Sequence, residues 1–126
     1  MALKALANKG NFFHIYDFMV KPGSGDRFIA LFNEFDYSGV NPMHKSSAQV
    51  KDGVLCRDVD DDDHFYLIGE WRDIEIHKEI RKEMMNLAPD FIELVDSGPF
   101  VPKYAKIVTE TPQKILDKAR NEARDS

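Results

Sequence analysis

The chain carries a single cysteine, Cys56, so no internal disulfide can hold it together. One thiol suits a reducing compartment, and its place among strand-forming residues predicts buried packing for it. Long apolar runs are missing: none reaches the length of a membrane span. The start, Met1-Ala2-Leu3-Lys4-Ala5-Leu6-Ala7-Asn8-Lys9, is too short and too broken by lysine to read as a secretory signal. These absences predict a cytoplasmic protein that does not engage a membrane. Positive charge is also scarce. Lys and Arg number 17 against 22 Asp and Glu, and the resulting net charge of −5 argues against nucleic acid as a partner.

Cofactor motifs are missing too. Gly23-Ser24-Gly25 precedes a helical pattern but lacks the lysine and spacing of a phosphate loop. The histidines, His14, His44, His64 and His77, form no HxH or HxxxH pair, so the sequence names no metal site. Asp60 to Asp63 lack the alternating oxygen ligands and glycine turn of a calcium loop and read as a solvated turn. No Ser-His-Asp or Cys-His order emerges. The expectation is a protein with neither bound metal nor cofactor.

What remains is an ordinary folded domain, since 126 residues with 43% hydrophobic content can bury a core unaided. Phe12 to Val20 is aromatic and β-branched and stops at Lys21-Pro22-Gly23, which predicts a strand covered on both faces. Ser24 is the expected cap of a first helix whose apolar stripe is Phe28, Leu31, Phe32 and Phe35. Tyr37 to Ser47 is irregular, the kind of loop that rims sites, with His44 expected in solvent. A strand follows from about Ser46 to Asp58, broken or bulged at Asp52-Gly53. Its hairpin partner is His64 to Trp71. Asp73 should cap a second helix with Ile76, Ile80, Met84 and Leu87 buried, breaking at Ala88 before Pro89. Val101 to Val108 is a last, edge-type strand. Thr111 to Ser126 is a weakly amphipathic helix expected to dock on the domain or on a partner subunit.

The order β-α-β-β-α-β predicts an α+β, ferredoxin-like antiparallel sheet with both helices on one face. Residues 1–110 form this domain and 111–126 a C-terminal helical extension. Because the strands are apolar on both sides, the uncovered face calls for a second copy of the sheet and hence a homodimer.

The segment Arg57-Asp58-Val59-Asp60-Asp61, the strand His64 to Trp71 and the helix start Asp73-Ile74-Glu75-Ile76-His77 carry a resemblance. An aspartate-rich turn, a strand closing in Trp and a helix with an early His resemble the antibiotic biosynthesis monooxygenase (ABM) family of dimeric α/β barrels. The resemblance spans Phe12 to Val108. It implies a pocket between sheet and helices and one of several activities: cofactor-free oxygenation of a phenol or quinol, haem degradation, or binding without catalysis. Trp71 matches the strand-ending Trp of the cofactor-free oxygenases. Leu67 stands where they place an asparagine, and His77 where they place a tyrosine. The haem-degrading pattern needs a first-strand Asn and a second-helix Trp, and this chain has neither. The expected site is therefore His77 as proton-handling residue, with Trp71, Leu67, Tyr16 and His14 lining an aromatic-binding pocket; His14 and Tyr16 share a strand face as alternate residues, and that face meets either the pocket or the dimer interface.

Overall fold

The computed structural model describes residues 2–125; Met1 and Ser126, which belong to the N-terminal stretch and the C-terminal extension read above, lie outside the described residues. Four strands, β1 (Phe12–Met19), β2 (Gln49–Arg57), β3 (His64–Trp71) and β4 (Lys103–Lys106), form one antiparallel sheet in the order β2-β3-β1-β4. Helices α1 (Gly25–Asp36) and α2 (Ile74–Asn86) supply the crossovers, and α3 (Gln113–Asn121) follows β4. This is the α+β ferredoxin-like arrangement.

Register decides which side chains meet. Tyr16 pairs with Leu67 and His14 with Gly69 across β1–β3, while His14 pairs with Tyr104 across β1–β4. Directly paired residues share a face, so His14, Tyr16, Leu67 and Tyr104 all point to one side. The core lies on that same side, where Phe28, Phe65, Phe91 and Trp71 are almost wholly buried. The break expected at Asp52-Gly53 is a β-bulge: between the pairs Lys51–Glu70 and Val54–Ile68, β2 spends one residue more than β3.

Three local expectations are corrected. Ser24 does not cap α1 with its side chain; its hydroxyl donates to the Lys21 carbonyl instead. Asp63 takes that role, accepting from the Gly23 and Gly25 amides, so one member of the aspartate run ties the β2–β3 turn to the helix start. The second helix is rotated from its expected stripe. Asp73 caps it by accepting from the Glu75 and Ile76 amides, but Ile76 and Leu87 are exposed and His77 and Met84 are the buried residues. The seven-residue spacing of His77 and Met84 is two helical turns, so a polar ring occupies the inward row that periodicity of apolar residues alone assigned to its neighbour. Ala88, with φ at 47°, ends the helix ahead of Pro89 as expected. Finally, Cys56 is exposed rather than buried. It pairs with Tyr66 on the sheet face away from the helices, which a single chain leaves uncovered.

The C-terminal helix α3 buries none of its residues, and Ile115 is half exposed. Its contact with the rest of the chain includes the Gln113 side-chain amide donating to the Leu3 carbonyl. No helix among the described residues is long and apolar enough to cross a membrane.

Candidate functional site

The histidine on the first strand sits in a seat made by two glycines. A Cβ on Gly69 would stand 2.8 Å from His14 Cε1, and one on Gly53 would stand 3.6 Å from His14 Nε2. The bulge brings Gly53 opposite Gly69, with a Gly53 Cα only 3.1 Å from the Gly69 Cβ position. The imidazole therefore sits over bare backbone, close enough at Gly69 that a side chain there would push against it. His77 stacks on its other side, with ring centroids 4.7 Å apart. The first turn of α2, aimed by the Asp73 cap, is what delivers His77 to that place.

Around this pair the walls are aromatic. Tyr16 meets His14 edge-on at 5.5 Å and stacks on Phe100 at 4.3 Å. Trp71 packs edge-on against His77 at 4.8 Å and stands behind the two imidazoles. A cavity of about 470 Å³, mouth included, opens beside them. The centre of a water-sized sphere can visit about 40 Å³ of it, so it is a narrow slot. His14, Tyr16, Leu67 and His77 line it, whereas Trp71 braces the wall from behind. Leu67 presents an apolar surface to the slot.

The slot is rich in unused polar atoms. Both ring nitrogens of His14, the Tyr16 hydroxyl and His77 Nε2 are buried without a hydrogen-bond partner. Each such group costs about 1–3 kcal/mol in the absence of a partner, and native proteins keep few of them. His77 Nδ1, by contrast, lies 2.7 Å from the Tyr104 hydroxyl. With the ring proton on Nδ1 donated to Tyr104, Nε2 is left as a lone-pair acceptor facing the cavity.

Burial sets the charge state. It lowers His14 to a pKa of about 3, helped by His77, and lowers His77 to about 4, helped by the Arg81 guanidinium. Both imidazoles are neutral at neutral pH. Burial also pushes the Tyr16 hydroxyl well above its ordinary value, against the pull of Arg81. Arg81 itself is fixed by donating to the Phe100 carbonyl. The inner part of the pocket thus holds neutral acceptors and donors near the Arg81 guanidinium, while two carboxylates, Asp36 and Asp52, line its outer part.

At the mouth, Asp36, His44 and Asp52 come together. His44 Nε2 lies 3.3 Å from Asp36 Oδ1 and 3.0 Å from Asp52 Oδ1, and all three line the cavity. His44 is exposed, as expected from the sequence, and it is also part of the rim. Among the described residues, these three side chains could hold a metal ion. Sequence reasoning missed Tyr104, Arg81, Asp36 and Asp52. The bulge at Asp52-Gly53 was a signal for Asp52 alone, because a bulge re-aims side chains at the edge of a site.

No protein-family model matches the sequence, and no curated relative does. Among solved structures, the chain is similar to a protein from Chloroflexus aurantiacus named for antibiotic biosynthesis monooxygenases, at 18% identity and a TM-score of 0.57, over 82% of this chain and 98% of that one. It is similar to SnoaB, a cofactor-independent oxygenase from Streptomyces nogalater, at 14% identity and a TM-score of 0.57, covering 82% and 96%. A conserved protein from Methanosarcina mazei aligns at 13% identity and a TM-score of 0.57, covering 79% and 93%. The chain thus has the ABM fold, reached at low sequence identity.

Proposed function

We propose that this protein is a cofactor-independent monooxygenase of a small aromatic substrate of the phenol or quinol type. The observation that carries the reading is the slot itself: narrow, aromatic-walled, and lined by buried polar atoms that have no partner within the protein. A hydroxyl on a planar ring would satisfy them, because it can donate to His77 Nε2 while accepting from Tyr16 or His14. The similarity to SnoaB in fold supports the same choice.

Ground-state oxygen is a triplet and does not attack a closed-shell phenol directly; it takes an electron from the electron-rich anion. The protein's part is to form that anion and keep bulk water away. His77 Nε2 takes the substrate proton, and its Nδ1–H remains held by Tyr104. A conjugate acid near pKa 4 makes His77 a weak base in the empty pocket. Once the phenolate forms beside it, attraction within the new ion pair raises that affinity, and Arg81 stabilises the phenolate from the same side. For a phenol with a free ring carbon the balance is substrate plus O2 giving quinone plus water. One oxygen atom becomes the new carbonyl, the other leaves as water, and the substrate supplies every electron. Neither an organic cofactor nor a redox metal is needed.

Oxygen uptake by metal-free protein against hydroquinones, anthrones and naphthols tests this. Uptake above the spontaneous rate is expected, and His77→Ala should reduce it by about 10²–10⁴-fold, the usual worth of a general base. A protein without turnover would instead be a dimeric small-molecule binding protein of the same fold. The apolar side of Leu67, which cannot bond a substrate oxygen, favours this second reading. Haem binding or degradation is the third and least supported, since β1 offers no asparagine and α2 no tryptophan.

The reading includes a homodimer joined through sheet faces. Phe13, Ile15, Met19 and Ile68 are half buried and Val54 exposed on the side away from the helices, and a second copy of the sheet is the simplest cover for that apolar surface. A single exposed thiol fits a reducing compartment and supports a cytoplasmic protein with no nucleic-acid or membrane partner.

A further inference from the structure

We propose that Asp36, His44 and Asp52 bind a divalent transition-metal ion of the zinc class at the mouth of the cavity, where it holds an acidic group of the molecule in the slot. The three come from unrelated parts of the chain: the last residue of α1, the 3₁₀ turn Pro42–Lys45, and the bulge in β2. Their ligand atoms all lie within 4.8 Å of one another. The two nitrogen–oxygen separations are 3.0 and 3.3 Å. Ligands about 2.1 Å from a common metal stand about 3.0–3.4 Å apart at tetrahedral to octahedral angles, so both separations fit.

A simple ion pair explains the arrangement less well. One imidazole nitrogen carries at most one proton, yet two carboxylate oxygens converge on His44 Nε2. Each of those oxygens is also oriented by a donor of its own. Asn41 Nδ2, itself buried, donates to Asp36 Oδ1 at 3.1 Å, and the Gly53 amide donates to Asp52 Oδ1 at 2.8 Å. Outer hydrogen bonds that fix the direction of first ligands are a regular feature of metal centres. One imidazole with two carboxylates suits Zn2+ over the softer or purely oxygen-loving ions. Three protein ligands leave coordination positions free for a further group.

The interior of the cavity is independent evidence that something binds there. His14 is 4% exposed, both its ring nitrogens are unpartnered, and its Nε2 lies over Gly53, the residue next to Asp52. Tyr16 and His77 line the same cavity with unpartnered atoms of their own. A molecule anchored at the rim by a carboxylate or phenolate on the ion would reach these groups with its ring. A zinc-class ion acts here as an anchor and exchanges no electrons, so the site stands whether or not the pocket oxygenates its ligand.

Chelator-stripped full-length protein titrated with Zn2+ alone, followed by calorimetry and by the visible spectrum of Co2+ as a substitute, tests the site. One equivalent per chain is expected. His44→Ala and Asp52→Asn should each weaken binding by about 100-fold or more, with unchanged far-UV circular dichroism. Asp52 is largely exposed, so its variant keeps the fold even where another does not. His64→Ala removes an imidazole beside Asp17 and Asp58 on the other sheet face and should leave binding intact. Absent saturable binding, or binding indifferent to both His44→Ala and Asp52→Asn, overturns the proposal. Neither result depends on oxygen uptake by the metal-free protein, so failure of this site and failure of the oxygenase reading are separable.

Discussion

Acidification will destabilise this protein well before its carboxylates are fully protonated, because two histidines must stay neutral to remain folded. His14 and His77 have folded-state pKa values of about 3 and about 4, against 6.5 when unfolded. Above pH 6.5 both states hold these rings neutral and pH has no effect through them. Below it the unfolded chain binds protons that the folded chain refuses, so stability falls as pH falls, and the loss ends once the folded values are passed. Each ring contributes about 1.4 kcal/mol per pH unit across that window. Both together would remove several kcal/mol, a large share of an ordinary domain's stability. Urea unfolding at a series of pH values measures the slope directly. Replacing one ring with a non-titrating residue, as in His14→Asn or His77→Gln, should cut the histidine contribution by about half. An unchanged slope in both variants would mean that the rings exchange protons freely with solvent.

The second large effect concerns a single hydrogen atom. Gly69→Ala places a methyl group 2.8 Å from His14 Cε1 and 3.1 Å from the Gly53 backbone. Neither neighbour can give way easily. His14 stacks against His77, and the Gly53 Cα is backbone in the β2 bulge, flanked by the paired residues Lys51 and Val54. Overpacking of this kind costs about 1–3 kcal/mol, and the displaced ring has only the slot to move into. Affinity for an aromatic ligand should fall with stability. Gly53→Ala is the contrasting case, since its Cβ would meet nothing closer than 3.5 Å, and it should be nearly neutral. Adding His14→Ala to Gly69→Ala should recover part of the loss, a coupling that a double-mutant cycle reads out. Equal stability for Gly69→Ala and Gly53→Ala would show that His14 is not seated on this backbone.

Much of this architecture is written in local patterns. The strand His64 to Trp71 coincides residue for residue with its expected span, and the Asp73 cap and the break at Ala88 follow from side-chain and proline chemistry alone. His14 and Tyr16 share a face because alternate residues do. What the chain hides is register. That Gly69 and Gly53 meet under His14 follows from how β1, β2 and β3 align, and that Tyr104 reaches His77 follows from how β4 lies beside β1. Strand spacing assigns faces but not partners. The rim was hidden for a related reason. Asp36, His44 and Asp52 are spread over a helix end, a turn and a bulge, and no sequence spacing connects them. The phase of α2 misled because Ile76 is more apolar than His77, while the helix turns the histidine inward to meet Tyr104 and His14.

The central claim is that the unpartnered atoms of the slot are the place where an aromatic hydroxyl binds. Nitrogen NMR of the histidine rings during a naphthol titration tests it most directly, since it reports on each ring nitrogen without requiring turnover. The account predicts saturable shifts of His77 Nε2 and of the His14 nitrogens, with His64 unmoved on the far face of the sheet. Saturable binding that leaves the His14 and His77 resonances in place, or no binding across the naphthols and hydroquinones, would contradict it.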